Sequence, residues 1–338
     1  MAVNPVAPQQ QVIELLAGYW KAQVVRAFAE LGLADRFARQ PRSADELAAA
    51  AGASADGVAR LLRAAAHCGL VEQQDDGRYR LTPAGATLRS GVTGSLRAYA
   101  GALAGPAHWR CWEHLDEAVR SGGPVAEPAL GRALWAHFGD HAAEGAQFAG
   151  AMGELSALVA LDLLALGGLD TLTSIVDVGA SRGVLLSALL RAAPQARGLA
   201  YDRPEVVAAA TPDPALAGRL DFVAGDFFAA VPAGARLYLL KQILHDYDDA
   251  AALRILRNLA AAAARGAALW VIEMLLPEQG DAGLAALVDL NMLVLLGGRE
   301  RTTAQYAALL DRSGWTLHGA DALRGGFHRL RASRKGNA

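Results

Sequence analysis

From residue 12 to residue 38, apolar side chains recur at helical spacing, with Ile13, Leu16, Trp20, Val24, Ala27 and Leu31 on one face. Ser43-Ala-Asp-Glu46 is a capping box that predicts a helix to about Ala51, closed by Gly52. Ser54 caps a second helix that carries Val58, Leu61, Leu62 and Ala65 and ends at Gly69. Leu70-Val-Glu72 and Arg78-Tyr-Arg-Leu81 flank the polar turn Asp75-Asp76-Gly77 and predict a hairpin, after which Thr82-Pro83 restarts a helix. Residues 95–165 carry only helical patterns. From about 173 the period changes. Short apolar runs at 174–178, 198–201, 220–224, 236–240 and 268–272 alternate with helical stretches at 183–193, 204–210 and 249–265. That alternation predicts an α/β fold, a doubly wound parallel sheet with helices on both faces. The expected divisions are an N-terminal domain over 1–95, a helical region over 96–165 and a sheet domain over 166–335, with Leu166-Gly167-Gly168 as the break.

Helices followed by a two-stranded wing form a winged-helix pattern, whose first functional reading is DNA binding. Composition weakens it. The net charge is −2, and the second wing helix offers only Arg60 and Arg63 beside Asp56, too few groups for phosphates and base edges. A structural or dimerising role fits better, and no nucleic-acid partner is expected. Cys68 and Cys111 belong to no metal-ligand or redox spacing, so both read as buried or semi-buried thiols and no metal is expected. Met1–Gln11 lacks a signal-peptide pattern, and the apolar windows at 269–276 and 284–296 are broken by Glu273, Asp289 and Asn291. The expected location is cytoplasmic, with no membrane partner.

In open parallel sheets ligands bind beyond the carboxyl ends of the strands, and there the polar residues gather. Strand 174–178 runs into Gly179-Ala-Ser-Arg-Gly183; the next ends at Asp202, the third at Gly225-Asp226-Phe227, the fourth at Lys241 ahead of Ile243-Leu-His-Asp-Tyr247, and the fifth at Glu273. A dinucleotide fingerprint would place glycines where Ser181 and Val184 stand, and no P-loop lysine follows. Asp202 suits the two ribose hydroxyls of an adenosine, with a helix cap ahead of Pro204 as its bland alternative. Asp226-Phe227 offers an acceptor and a flat ring for adenine, or else a turn acid beside a core ring. Trp109, Trp112, Trp135, Phe138, Phe148 and Met152 fall on the predicted helices, where an aromatic stripe is more often core than pocket lining.

Asp177-Val-Gly-Ala-Ser-Arg-Gly183, Asp202-Arg-Pro204, Gly225-Asp-Phe-Phe228, Leu240-Lys-Gln-Ile-Leu-His-Asp-Tyr-Asp-Asp249 and Gly297-Gly-Arg-Glu-Arg-Thr302 together resemble one family. It is the caffeic acid/hydroxyindole type of small-molecule O-methyltransferase, whose bacterial branch serves antibiotic pathways and secondary metabolism. The resemblance spans almost the whole chain. It implies a class I, Rossmann-like methyltransferase domain, S-adenosylmethionine as cofactor with S-adenosylhomocysteine as product, and a homodimer through the N-terminal domain. It further implies cofactor contacts at Ser156, Gly179, Asp202, Arg203, Asp226, Phe227 and Lys241. His245 would be the base, oriented by Glu273 and Glu300. Trp109, Phe148, Met152, Asn291 and Met292 would face a small aromatic acceptor. The sequence departs from the family at Ala180 and Ser181, where glycine is usual, at Tyr247 in place of Trp, and at Arg203 in place of an apolar residue.

A phenol has an ordinary pKa of about 10 and is mostly neutral at pH 7. A positioned histidine that takes its proton contributes about 10²–10⁴-fold. Two other readings accompany this one. A relative of the same fold can hydroxylate or decarboxylate an aromatic polyketide, and a winged-helix protein with a ligand-sensing domain can act as a regulator.

Overall fold

The computed structural model describes residues 7–37 and 40–336. Residues 1–6, within the segment read for a signal peptide, and residue 38, the end of the first helical run, lie outside them. The chain forms two compact units, Met1–Trp109 and Arg110–Ala338.

In the first unit the long amphipathic run is three helices, α1 (Pro8–Leu16), α2 (Gly18–Glu30) and α3 (Leu33–Arg36). Gly32 breaks the run in the left-handed region at φ 61°. The expected apolar face divides. Val24 and Leu31 pack against a core of Phe28, Ala29, Leu33, Phe37, Leu47, Val58, Leu62 and Tyr79, while Ile13, Leu16 and Trp20 stay 58%, 68% and 61% exposed. Helix α4 (Ala44–Ala51) has the full Ser43/Glu46 capping box and ends at Gly52, and Ser54 caps α5 (Ala55–His67). Strands β1 (Val71–Gln73) and β2 (Tyr79–Leu81) pair antiparallel, with Arg42 bridged to Tyr79. Helices α6 (Pro83–Ala86), α7 (Arg97–Leu103) and α8 (Pro106–Trp112) follow, the last crossing into the second unit.

The second unit continues with α9 (Leu115–Ser121), α10 (Ala126–Leu130), α11 (Leu134–Asp140) and the long α12 (Ala142–Leu166). By length and composition alone α12 could cross a membrane. In the fold it packs on α13, and its Val159, Ala160 and Leu163 enter the core. Most of the 96–165 stretch thus shares a unit with the sheet.

The sheet strands are β3 (Ser174–Val178), β4 (Arg197–Asp202), β5 (Leu220–Ala224), β6 (Leu237–Lys241) and β7 (Ala268–Leu276). Helices α13 (Val184–Ala192), α14 (Pro204–Ala208) and α15 (Asp249–Ala262) lie between them. After α16 (Leu284–Leu296), the short β8 (Arg301–Thr302) and α17 (Thr303–Arg312), two further strands close the sheet, β9 (Trp315–Ala322) and β10 (Phe327–Arg334). The order is β5-β4-β3-β6-β7-β10-β9, with β8 paired to β7. One core lies among α15, α17 and one sheet face, and another among α12, α13, α16 and the other face. Trp315, Tyr238 and Tyr306 are fully buried in the first. Each such ring contributes roughly 1.5–3 kcal/mol on the scale of a buried Phe.

Two expectations need correction. The sheet is mixed, because β10 runs antiparallel to both β7 and β9. And Glu273 does not end its strand. β7 continues to Leu276 because β10 pairs along it (Phe327↔Met274, His328↔Glu273) and β8 adds Leu275↔Arg301, so Glu273 sits inside the sheet, fully buried.

Candidate active site

The loop after β3 turns at Gly179, whose φ is +77° and whose added Cβ would lie 2.2 Å from Ile243 Cδ1. A side chain there would sit on left-handed backbone and would have to displace the Ile243 side chain. Ser181, where the family usually has glycine, adopts a left-handed φ of 51°, so the departure is accommodated at some backbone strain. Its N–H donates to Asp202 Oδ2 at 2.7 Å, and the Arg203 N–H donates to Asp202 Oδ1 at 2.8 Å. Asp202 is therefore not the cap of α14; Arg203 holds that position. Burial raises the Asp202 carboxyl despite those two donors, and each of its oxygens keeps lone pairs for a ligand hydroxyl.

Asp226 follows β5 on the exposed side. One oxygen accepts the Phe228 N–H at 2.8 Å, the turn-acid contact weighed against adenine. Phe227, Phe228 and Tyr247 form an aromatic cluster with centroids 5.0–6.1 Å apart. Asn258 fixes it by donating to both Phe227 O and Phe228 O at 2.9 Å. The loop, Asp202 and the Asp226-Phe227 pair thus stand at the carboxyl ends of three adjacent strands. Amide donors, two acids and an aromatic face are a donor set that fits an adenosine and its charged tail. The Arg203 guanidinium lies 5.7 Å from the Trp135 ring centroid and pairs with Glu205 at 3.0 Å.

The strand β6 delivers Lys241, and an irregular turn then places His245. Gln242 takes a left-handed φ of 53° and accepts from Lys241 Nζ at 2.6 Å; Leu244–Asp246 form a 3-10 turn. His245 is 5% exposed, which rules out a surface histidine. Its Nδ1 lies 2.6 Å from Glu300 Oε1 and 3.7 Å from Glu273 Oε2, and its Nε2 lies 3.4 Å from Asp246 Oδ1. The two glutamates divide the work. Glu300 bonds the ring, while Glu273 Oε1 accepts the Ile243 and Leu244 N–H groups at 3.1 and 2.9 Å and so holds the turn itself. A His with two carboxylates is also a metal-type donor set. The 2.6 Å contact is a hydrogen-bond distance and leaves no space for an ion between Nδ1 and Oε1.

Electrostatics in this cluster are strongly perturbed. Burial alone pulls the His245 imidazolium down, but Glu273, the Glu300 hydrogen bond and Asp246 outweigh it and raise the group to about 10. Burial raises Glu273 to about 7 against the pull of His245, Asp246 to about 6, and Asp177 to about 7 against Lys241. Burial lowers Lys241 to about 8, with Glu273, Asp177 and Asp246 opposing. Asp177 and Asp246 were not among the expected site residues; the sequence signal of Asp177 is an acid between Val176 and Val178 near a strand end, and that of Asp246 is its place beside His245.

The remaining predicted residues are more dispersed. Asn291 Oδ1 accepts from Trp112 Nε1 at 2.8 Å, and Met292 beside it is buried. Phe148 stacks on Phe138 at 5.0 Å and meets Trp135 edge-on at 5.6 Å; Met152 and Ser156 lie half-buried further along α12. Trp109 belongs to the first unit, where its ring lies 6.2 Å from that of Tyr19.

Residues 112–316 match the model of an O-methyltransferase domain, and residues 13–91 that of an O-methyltransferase dimerisation domain. The phenazine O-methyltransferase of Lysobacter antibioticus is 35% identical over 90% of this chain and 90% of its own length. The phenazine-1-carboxylate N-methyltransferase of Pseudomonas aeruginosa is 32% identical over 92% of this chain and 93% of its own. Among solved structures, human N-acetylserotonin methyltransferase in complex with S-adenosylmethionine is 28% identical at a TM-score of 0.89, covering 99% of this chain and 100% of that one. The O-methyltransferase from neocarzinostatin biosynthesis, bound to S-adenosylmethionine and 2-hydroxy-5-methyl naphthoic acid, is 33% identical at a TM-score of 0.73, covering 93% and 95%. These relatives give no support to a regulator or to a hydroxylating or decarboxylating enzyme.

Proposed function

Because this chain belongs to the S-adenosylmethionine-dependent O-methyltransferase family, with its characteristic dimerisation domain, we propose that it methylates a hydroxyl of a small aromatic molecule with His245 as the base. The observation that carries the reading is the buried imidazole with Nδ1 on a carboxylate 2.6 Å away. An acid on Nδ1 fixes the tautomer and stabilises the imidazolium, leaving Nε2 to take the hydroxyl proton. An amine acceptor, as in the phenazine N-methyltransferase, would bring its own lone pair and have less use for such a base.

The donor, when bound, supplies an electrophilic methyl group. We assign its ribose to Asp202, its adenine to Asp226 and Phe227, and its amino-acid tail to the Gly179 loop with Ser156. Lys241 and Arg203 are further proposed contacts. Phe148, Met152, Asn291 and Met292 are proposed to face the acceptor, as is Trp109. The aromatic character of the acceptor draws on the naphthoic acid and phenazine relatives. Kinship with bacterial biosynthetic enzymes further supports a place in secondary metabolism and a cytoplasmic location.

His245→Ala tests the base directly. Turnover of a phenolic acceptor should fall about 10²-fold or more, with S-adenosylmethionine affinity unchanged by calorimetry. Undiminished turnover would leave positioning alone as the catalytic device.

A further inference from the structure

We propose that Arg301 is a positioning residue: its buried guanidinium clamps the backbone of the His245 turn and sets where the base stands. The inference rests on the reading of His245 above. The turn over 242–247 is irregular, so its peptide groups lack the partners that a regular helix or strand would supply. Glu273 takes two of its N–H groups, those of Ile243 and Leu244. Residues 299–301 take three of its carbonyl groups. The Arg299 N–H donates to His245 O at 2.8 Å. Arg301 Nη1 donates to Leu244 O at 2.9 Å, and Nη2 donates to Tyr247 O at 2.8 Å. The same guanidinium pairs with Asp249, Nε to Oδ1 at 2.9 Å, so one planar fork ties the residue before the base, the turn beyond it and the start of α15.

The local sequence makes this grip possible. Gly298 lies so close to the turn that an added Cβ would be 2.0 Å from His245 O. Glu300 and Arg301 are consecutive, and consecutive side chains in extended backbone point to opposite sides. Glu300 therefore reaches the imidazole while Arg301 reaches the backbone that carries it. The guanidinium is 1% exposed, an expensive position for a charge unless its donors are satisfied. They are satisfied by the carbonyl groups of the turn and by the Asp249 carboxylate.

A displacement of about 1 Å at a reacting group can cost about 10²-fold in rate. Arg301→Met should therefore lower kcat about 10²-fold. Arg301→Lys, which keeps the charge and loses the fork, should lower it about tenfold. Affinity for S-adenosylmethionine should stay within about twofold, which also certifies folding. The deciding measurement is the cycle with His245→Ala, with residual turnover followed by a radiolabelled methyl group. If Arg301 acts through the base, Arg301→Met should cost less than about threefold in the His245→Ala background. An equal loss in both backgrounds overturns the clamp and makes Arg301 merely structural. If His245→Ala alone keeps full turnover, the base assignment itself fails, a separate outcome. Should Arg301→Met not fold, Asp249→Ala frees the fork from its exposed partner and leaves the buried cation in place. It should then cost about threefold in the wild-type background and nothing without His245; a loss in both again overturns the clamp.

Discussion

Replacing Glu300 by glutamine removes one charge from the site and almost no volume. The affected contact is the 2.6 Å bond between Nδ1 of His245 and Oε1 of Glu300, with both residues buried. A hydrogen bond to a charged group contributes roughly 1.5–3 kcal/mol, which is about 10–150-fold in rate if it acts only in the transition state. A second effect adds to it. The amide can turn its NH₂ toward Nδ1, which selects the tautomer that carries its proton on Nε2 and cannot accept from the substrate. In a Ser-His-Asp triad the equivalent change costs about 10⁴. Glu300→Gln should therefore lower kcat by about 10²–10⁴ while S-adenosylmethionine binding holds. The pH profile sharpens the test. Neutral imidazole takes the proton, and His245 is raised to about 10, so log kcat/KM for a phenolic acceptor should climb about one unit per pH unit from 7 to 9. Glu300 is one of the acids that raise the imidazolium, so in Glu300→Gln the climb should level off at lower pH. Initial rates at saturating S-adenosylmethionine across that range decide the matter. A variant within threefold of wild type, or a wild-type profile flat from 7 to 9, would refute the reasoning.

Asp202→Ala should weaken S-adenosylmethionine at least tenfold by calorimetry, since a charged acceptor for ligand hydroxyls is lost; unchanged affinity contradicts the ribose assignment. The ligand-free protein should lose thermal stability between pH 5 and 8. Asp177, Asp246 and Glu273 are raised acids and His245 is a raised base, so in that window the folded state holds more protons than the unfolded chain and stability falls as pH rises. A melting temperature that rises across this window would contradict the perturbed cluster. Trp20→Asp, at one end of the exposed Ile13–Leu16–Trp20 face within the dimerisation domain, should shift the protein toward monomer in light scattering; an unaltered dimer would place the interface elsewhere.

The sequence showed most clearly those elements whose signal is local. The runs at 174–178 and 220–224 became strands with those bounds, and Ser43/Glu46 forms the full capping box expected. Strands β9 and β10 were not anticipated. Their alternation is present, but charged residues fill it: Arg329 is buried only because Asp321 holds it at 2.7 Å and Trp270 lies beneath it at 4.5 Å. Missing β10 in turn misplaced Glu273 at a strand end. Ile13, Leu16 and Trp20 formed a legible stripe, yet periodicity cannot say whether a stripe faces its own core or another chain. His245 stood out as a polar run after a strand. Arg301 did not, because its partners are carbonyl groups of a turn more than fifty residues away, which leave no trace in side-chain pattern.

The buried cluster has a charge balance that bears on the reaction. Asp177, Asp246, Glu273 and Glu300 are four acids; Lys241, protonated His245 and Arg301 are three cations, so the fully ionised set carries a net −1. A buried net charge is costly, and the cluster lowers that cost by raising Asp177, Asp246 and Glu273 toward neutrality. One surplus acid is also a capacity. When a hydroxyl gives up its proton to a neutral His245, the set gains one positive charge wherever that proton settles; with its acids ionised it passes from −2 to −1 and never becomes positive. Glu300 orients the imidazole and Glu273 holds its turn, while Asp177 and Asp246 add the negative charge that keeps the set from turning positive when it takes that proton.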